Sequence, residues 1–150
     1  YFQYFFYPVC TLLKSELLLI PLWGWGMSLL NPIAINRNKP RRALKKILVQ
    51  GKARLQRGLS VLFFPEGSRM KPKEVGNYAR SGFELAKLSR IKVLPVAHNS
   101  GSFCPAHKFI KFPGKIKLII GKPFEVKGDT SILKNETEEW TRKQVKEMAD

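Results

Sequence analysis

The order of predicted elements is that of an α/β protein: a mixed, mostly parallel sheet flanked by helices. Three observations carry that prediction. Short apolar runs alternate with helical patterns, as in strand–crossover–strand units. The runs at 33–35, 60–64 and 91–97 are apolar with little polar alternation, which suits strands covered on both faces. The last two end in polar, turn-forming clusters: Pro65-Glu66-Gly67 and His98-Asn99-Ser100-Gly101.

Val9 to Leu13 reads as a short strand. Leu17 to Ile35 is mostly apolar and close to the length of a membrane span. Pro21, Gly24, Gly26 and Pro32 interrupt it, and Asn31 is polar. The expectation is therefore a short apolar helix from Pro21 to Leu30, buried or lying in a membrane interface. Trp23 and Trp25 suit an interface, because indole is apolar with one polar handle. Ile33-Ala34-Ile35 reads as a buried strand, and Asn38 and Pro40 supply a helix start. From Arg41 to Arg57, Leu44, Ile47, Leu48, Gly51 and Leu55 recur at helical spacing on one face. Arg41, Arg42, Lys45, Lys46 and Lys52 fall mostly off that face, so the helix is amphipathic and basic, ending near Gly58.

Ser60 to Phe64 is the next strand, Ser81 to Ser89 a helix, and Ile91 to Ala97 one further strand. Lys108 to Phe112 and Lys115 to Ile120 alternate around Pro113-Gly114, which predicts a hairpin. Thr130 to Met148 closes the chain as a polar helix. There is no repeat, low-complexity stretch or linker, so a single domain over 1–150 is expected.

Composition excludes several classes. The 150 residues are 44% hydrophobic, too apolar for a disordered chain. Two Cys cannot staple a disulfide scaffold. Cys10 and Cys104 lie far apart without ligand-spaced partners, which argues against structural zinc and for thiols in a reducing compartment. His98 and His107 are the only histidines, and neither has a carboxylate near it in sequence. The formal net charge is +16. It is concentrated at residues 37–92, which hold 16 Lys and Arg against 3 Asp and Glu. Such a chain seeks phosphate: nucleic acid, an anionic membrane surface or a phosphorylated small molecule. No nucleic-acid-binding motif accompanies the charge, and the apolar 17–30 segment argues against that partner.

The densest signal is Phe64-Pro65-Glu66-Gly67-Ser68-Arg69, directly after a strand. Ligands of open parallel sheets bind at the carboxyl ends of the strands. Gly67 lets backbone approach a ligand closely. Arg69 offers a fork of donors that matches phosphate or carboxylate. Glu66 can orient that Arg or accept from a substrate hydroxyl. As bare chemistry this is a phosphate-facing turn, and a structural Glu66–Arg69 ion pair is an equally good reading.

The wider pattern is Lys14-Ser15-Glu16-Leu17, Ile20-Pro21, Gly24, Ile33-Ala34-Ile35-Asn36-Arg37, Phe64 to Arg69, and Val93-Leu94-Pro95-Val96, in that order. It resembles the glycerolipid acyltransferases, the 1-acyl-glycerol-3-phosphate (lysophosphatidate) acyltransferases and their relatives, over about Thr11 to Phe124. The resemblance implies a glycerol-3-phosphate acyltransferase-like fold. It implies acyl transfer from acyl-CoA or acyl-carrier protein to the free hydroxyl of 1-acyl-glycerol-3-phosphate, giving phosphatidate. It implies no metal or bound cofactor, and a place at the cytoplasmic face of an anionic membrane. Arg37, Glu66, Gly67, Ser68 and Arg69 then fall in the blocks that bind the acceptor's glycerol phosphate. Ser68 stands where Thr is commoner, and Asn31 where the second block usually has Gly. Lys14 matches a Lys that adds a phosphate contact, and Pro95 matches a block linked to acyl-donor binding or the shape of the site. Arg80 and Gly82 match the entry of the next helix more loosely.

The family's catalytic block, His-x-x-x-x-Asp or Glu, supplies the general base and the acid that holds its tautomer. It stands upstream of the Lys-x-Glu-Leu segment. The chain opens in the aromatic run Tyr1 to Tyr7, without a signal-peptide pattern, and no His precedes Lys14. His98 and His107 have Phe103 and Phe112 at the matching offset, so neither fits the motif. The expectation is a fragment whose catalytic block lies upstream of Tyr1, inactive by itself. The alternative is a non-catalytic phospholipid-binding relative at the membrane surface.

Overall fold

The computed structural model describes residues 2–105 and 109–148. Its elements, in chain order, are α1 (Phe2–Phe5), β1 (Val9–Lys14), a 3-10 turn (Ser15–Leu19), α2 (Trp23–Ser28), β2 (Ile33–Ile35), α3 (Pro40–Gln56), β3 (Ser60–Leu62), α4 (Ser81–Ser89), β4 (Lys92–Val93), β5 (Val96–His98), α5 (Ser100–Phe103), β6 (Leu118–Ile120), β7 (Phe124–Glu125) and α6 (Thr130–Glu147). They divide into two compact units, Tyr1–Phe64 and Pro65–Asp150.

The first unit is built on a parallel sheet in the order β2-β1-β3. The central strand shares its two halves between neighbours. Val9 to Thr11 pair with Ser60 to Leu62, and Leu12 to Lys14 pair with Ile33 to Ile35. Cys10, Ile33 and Ile35 are buried, as expected for a parallel strand covered on both faces. The helix α3 connects β2 to β3, the strands on either side of β1, by the long connection that parallel strands require. Pro40 occupies its first turn, where a missing N–H costs nothing. Ile47 and Gly51 are buried on the predicted face, while Arg41, Arg42, Lys45, Lys46 and Lys52 are exposed.

In the second unit, Phe83 and Ala86 of α4 meet Val126, with Ile91, Val93, Phe124 and Leu133 packed around them. Two antiparallel pairs complete it, β4 with β7 and β5 with β6. The chain therefore carries the parallel sheet of the α/β prediction, and antiparallel pairing besides.

Strand β3 stops at Leu62, two residues short of the predicted Phe64, and three further elements differ from expectation. The predicted strand 91–97 is two strands with different partners, because Pro95 has no N–H to give a ladder. The hairpin around Pro113-Gly114 does not form. Lys108 lies outside the described residues, and residues 109–117 contain no strand. Proline followed by glycine favours an unprimed turn that splays paired strands, and β6 pairs with β5 instead. Phe112 donates its N–H to the Phe103 carbonyl at 2.9 Å. Finally, α2 is shorter than the 21–30 span predicted, with the 3-10 turn before it.

Candidate functional site

Lys14 ends β1 beside Ile35, the last residue of β2, so both strands deliver their carboxyl ends to one edge of the parallel sheet. Arg37 follows two residues later and is exposed. Asn36 builds the turn that carries it. The Asn36 Oδ1 accepts from the Asn38 N–H at 2.9 Å, and the Asn36 carbonyl accepts from the Lys39 N–H at 3.2 Å. Lys14 lies 3.6 Å from the Glu16 carboxylate in a half-exposed pair. Asn31 adopts a left-handed backbone with φ +50°. Asparagine is the residue that tolerates this best after glycine, which explains how it replaces the Gly of the block. Its carbonyl accepts from Arg54 Nε at 3.3 Å.

Glu66 to Arg69 lie on a segment closed on itself, since the Ala79 N–H donates to the Pro65 carbonyl at 2.8 Å. Gly67 has φ +68°, and nothing lies within 4 Å of where a side chain would start. Its glycine is thus required by backbone conformation. The Glu66 side chain points back into the segment, where Oε2 accepts from the Gly76 N–H at 3.0 Å. A side-chain carbon on Gly76 would stand 2.9 Å from Met70 Sδ and 3.4 Å from Glu66 Oε2, so Gly76 keeps the space that Glu66 occupies. Burial pushes the Glu66 carboxyl above the usual range. The Gly76 N–H and the Arg142 charge oppose that rise, and the Glu138 carboxylate adds to it.

Neither expected role of Glu66 toward Arg69 is realised. Arg69 is exposed and enters no ion pair or side-chain hydrogen bond among the described residues. Ser68 is also exposed, its hydroxyl 3.8 Å from Met70 Sδ. The guanidinium is held out to solvent while Glu66 is engaged behind it.

Pro95 lies at the break between β4 and β5. Its carbonyl accepts from the Gly121 N–H at 2.9 Å. A side chain on Gly121 would collide with the Pro95 ring and with Trp140. His98 ends β5 and lies 2.8 Å from the Ser100 hydroxyl through Nδ1, and burial holds its imidazole below the usual range. His107 lies outside the described residues. No cluster of His, Cys, Asp and Glu that could hold a metal occurs among the described residues.

Sequence reasoning missed the residues that hold this segment: Gly76, Tyr78, Glu138 and Arg142. Only the i,i+4 spacing of Glu138 and Arg142 was legible, and that spacing is common on any solvated helix.

A family model described as Acyltransferase matches residues 2–99, which take in Lys14, Arg37, Glu66 to Arg69 and Pro95. A 1-acyl-sn-glycerol-3-phosphate acyltransferase of Pseudomonas aeruginosa is 38% identical over 97% of this chain and 58% of its own length. The chloroplastic 1-acyl-sn-glycerol-3-phosphate acyltransferase LPAT1 of Arabidopsis thaliana is 31% identical over 73% of this chain and 31% of its own. The crystal structure of the 1-acyl-sn-glycerophosphate acyltransferase PlsC from Thermotoga maritima superposes with a TM-score of 0.74 at 26% identity, over 93% of this chain and 56% of that one. The chain thus spans about half the length, or less, of the proteins it matches. The family model covers about two thirds of the chain and the fold superposes on a solved member, so the chain belongs to the acyltransferase family.

Proposed function

We propose that the protein carrying this chain transfers a fatty acyl group from a thioester donor, acyl-CoA or acyl-carrier protein, to the free hydroxyl of 1-acyl-glycerol-3-phosphate. The acceptor oxygen attacks the thioester carbonyl carbon. A C–O bond forms, the C–S bond breaks, and the hydroxyl proton passes through a general base to the departing thiolate. The family resemblance assigns that base to a His-x-x-x-x-Asp or Glu block, and the 150 residues contain no such block. The reaction is therefore proposed for the protein as its gene encodes it.

One observation carries the reading: Arg69 stands exposed on a closed turn whose carboxylate is engaged elsewhere. A guanidinium so placed is free to take two oxygens of the acceptor's phosphate. The family resemblance proposes phosphate contacts for Lys14 and Arg37 as well. Pro95 is proposed to act through the shape of the donor side. No metal or bound cofactor enters the proposed chemistry.

Association with an anionic membrane surface is part of the proposal. Leu22, Trp25 and Leu29 are 78, 65 and 81% exposed around α2, which suits an interface more than an aqueous surface. No helix among the described residues is long and apolar enough to cross a membrane. The exposed cations of α3 would add about 1 kcal/mol each near anionic lipid.

The test is the steady-state kinetics of Arg69→Ala in the protein as encoded. Loss of charge-assisted hydrogen bonds worth about 1.5–3 kcal/mol lowers kcat/KM for lysophosphatidate roughly 10- to 150-fold. Turnover of a 1-acylglycerol lacking phosphate should change little. Wild-type kinetics with lysophosphatidate would refute the phosphate role, and lipid binding without transfer by the native protein would favour a non-catalytic relative.

A further inference from the structure

The segment 65–79 is closed by its own hydrogen bond and by Glu66, but both partners belong to the segment itself. What fixes it to the body of the second unit comes from α6, beyond the residues matched by the family model. Glu138 is the centre of that attachment. Its side chain is 13% exposed, and its Oε2 accepts from the Tyr78 N–H at 2.9 Å. Arg142 donates to its Oε1 at 2.8 Å, and Lys134 lies 3.6 Å from Oε2. Tyr78 is half-buried, and Thr141 follows Glu138 about one turn along the same helix. Thr141 is buried and donates to the Thr137 carbonyl at 2.9 Å.

We infer that Glu138 is a positioning residue for the acceptor-phosphate turn: by binding the Tyr78 N–H next to the closing Ala79–Pro65 bond, it fixes where Glu66 to Arg69 are presented. The inference rests on the proposed role of Arg69. Glu138 does not itself touch substrate in this account. A carboxylate suits the task because two cations hold it in place. Burial raises its carboxyl, yet the Arg142 and Tyr78 donors and the Lys134 and Arg142 charges outweigh that and keep it below the usual range. It therefore stays ionised, and a strong acceptor, at neutral pH. Removing it would free the Tyr78 end of the segment and leave Arg142 without its carboxylate.

The experiment compares Glu138→Ala, Glu138→Gln and Arg69→Ala in the protein as encoded, with acceptor and donor varied separately. Glu138→Ala is expected to raise the acceptor KM about fivefold, the equivalent of one net hydrogen bond, with the donor KM unchanged. Glu138→Gln keeps an acceptor oxygen for the Tyr78 N–H and should recover most of that loss. A general loss of packing would not be rescued this way, nor confined to one substrate. If Glu138→Ala does not fold, Glu138→Asp, which shortens the carboxylate's reach to the Tyr78 N–H, should raise the acceptor KM selectively by a smaller factor. Impairment by Arg69→Ala with wild-type acceptor KM in Glu138→Ala, or in Glu138→Asp where the Ala variant does not fold, overturns the inference alone. Equal rises in both KM values overturn it as well. Wild-type kinetics for Arg69→Ala overturn the reading of the turn, and this inference with it.

Discussion

Replacing Gly67 by Ala should destabilise the protein by about 1 kcal/mol, and the reason can be isolated. Gly67 has φ +68°, with no neighbour within 4 Å of the added carbon. The cost is therefore conformational, not steric. An L-residue in the left-handed region pays roughly 1–2 kcal/mol. Against that, Ala restricts the unfolded chain, which returns about 0.4–1 kcal/mol. For a chain of this length about 1 kcal/mol is a fall of ~2–4 °C in Tm. Gly128 is a matched control, with φ +82° and equally open surroundings, so Gly128→Ala should cost the same. Gly67→Asn should cost less than Gly67→Ala, because asparagine visits this region more readily. Urea denaturation of the variants side by side provides the assay. A loss above about 3 kcal/mol for Gly67→Ala alone would mean that the turn is crowded. No loss at all would mean that its backbone is not left-handed. Either result refutes the account of the turn.

Other outcomes follow from burial and capping. Cys10 is buried, and burial pushes its thiol up while the Arg54 charge opposes the rise; Cys104 is exposed. A thiol reagent should therefore modify Cys104 in the native protein and Cys10 only on unfolding, and equal native rates would contradict the position of β1. Asp129 caps α6 by accepting from the Ser131 N–H at 2.8 Å, and that bond holds its carboxyl below the usual range. With the folded value depressed, the cap's contribution is present above the ordinary Asp range and is lost as pH falls through the folded value. Asp129→Ala should thus lower Tm at neutral pH, and its difference from wild type should shrink in acid; a gap constant across pH would show that the carboxylate does not cap.

The strands and helices that specify themselves locally were legible. Ile33 to Ile35 and Ser81 to Ser89 have the predicted bounds, since a short apolar β-branched run and a helical repeat each carry their period in the sequence. Two of the departures lie where pairing partners decide. Leu94-Pro95 splits one apolar run into strands of different ladders, and Pro113-Gly114 sits in a connection because β5 takes β6. A run of residues does not state which edge it will meet.

The same division holds at the site. The sequence by itself determined that the chain is α/β, strongly basic at 37–92, and marked by a Pro-Glu-Gly-Ser-Arg turn after its third strand. These features depend on composition, periodicity and spacing within a few residues. Only the tertiary structure decided that Glu66 faces Gly76 and not Arg69, that Asn31 takes the left-handed turn, and that Glu138 anchors Tyr78 from 60 residues away. Each is a contact whose energy is realised after the chain has folded back on itself. Residue order fixes which groups are available, and three-dimensional proximity fixes which of them meet.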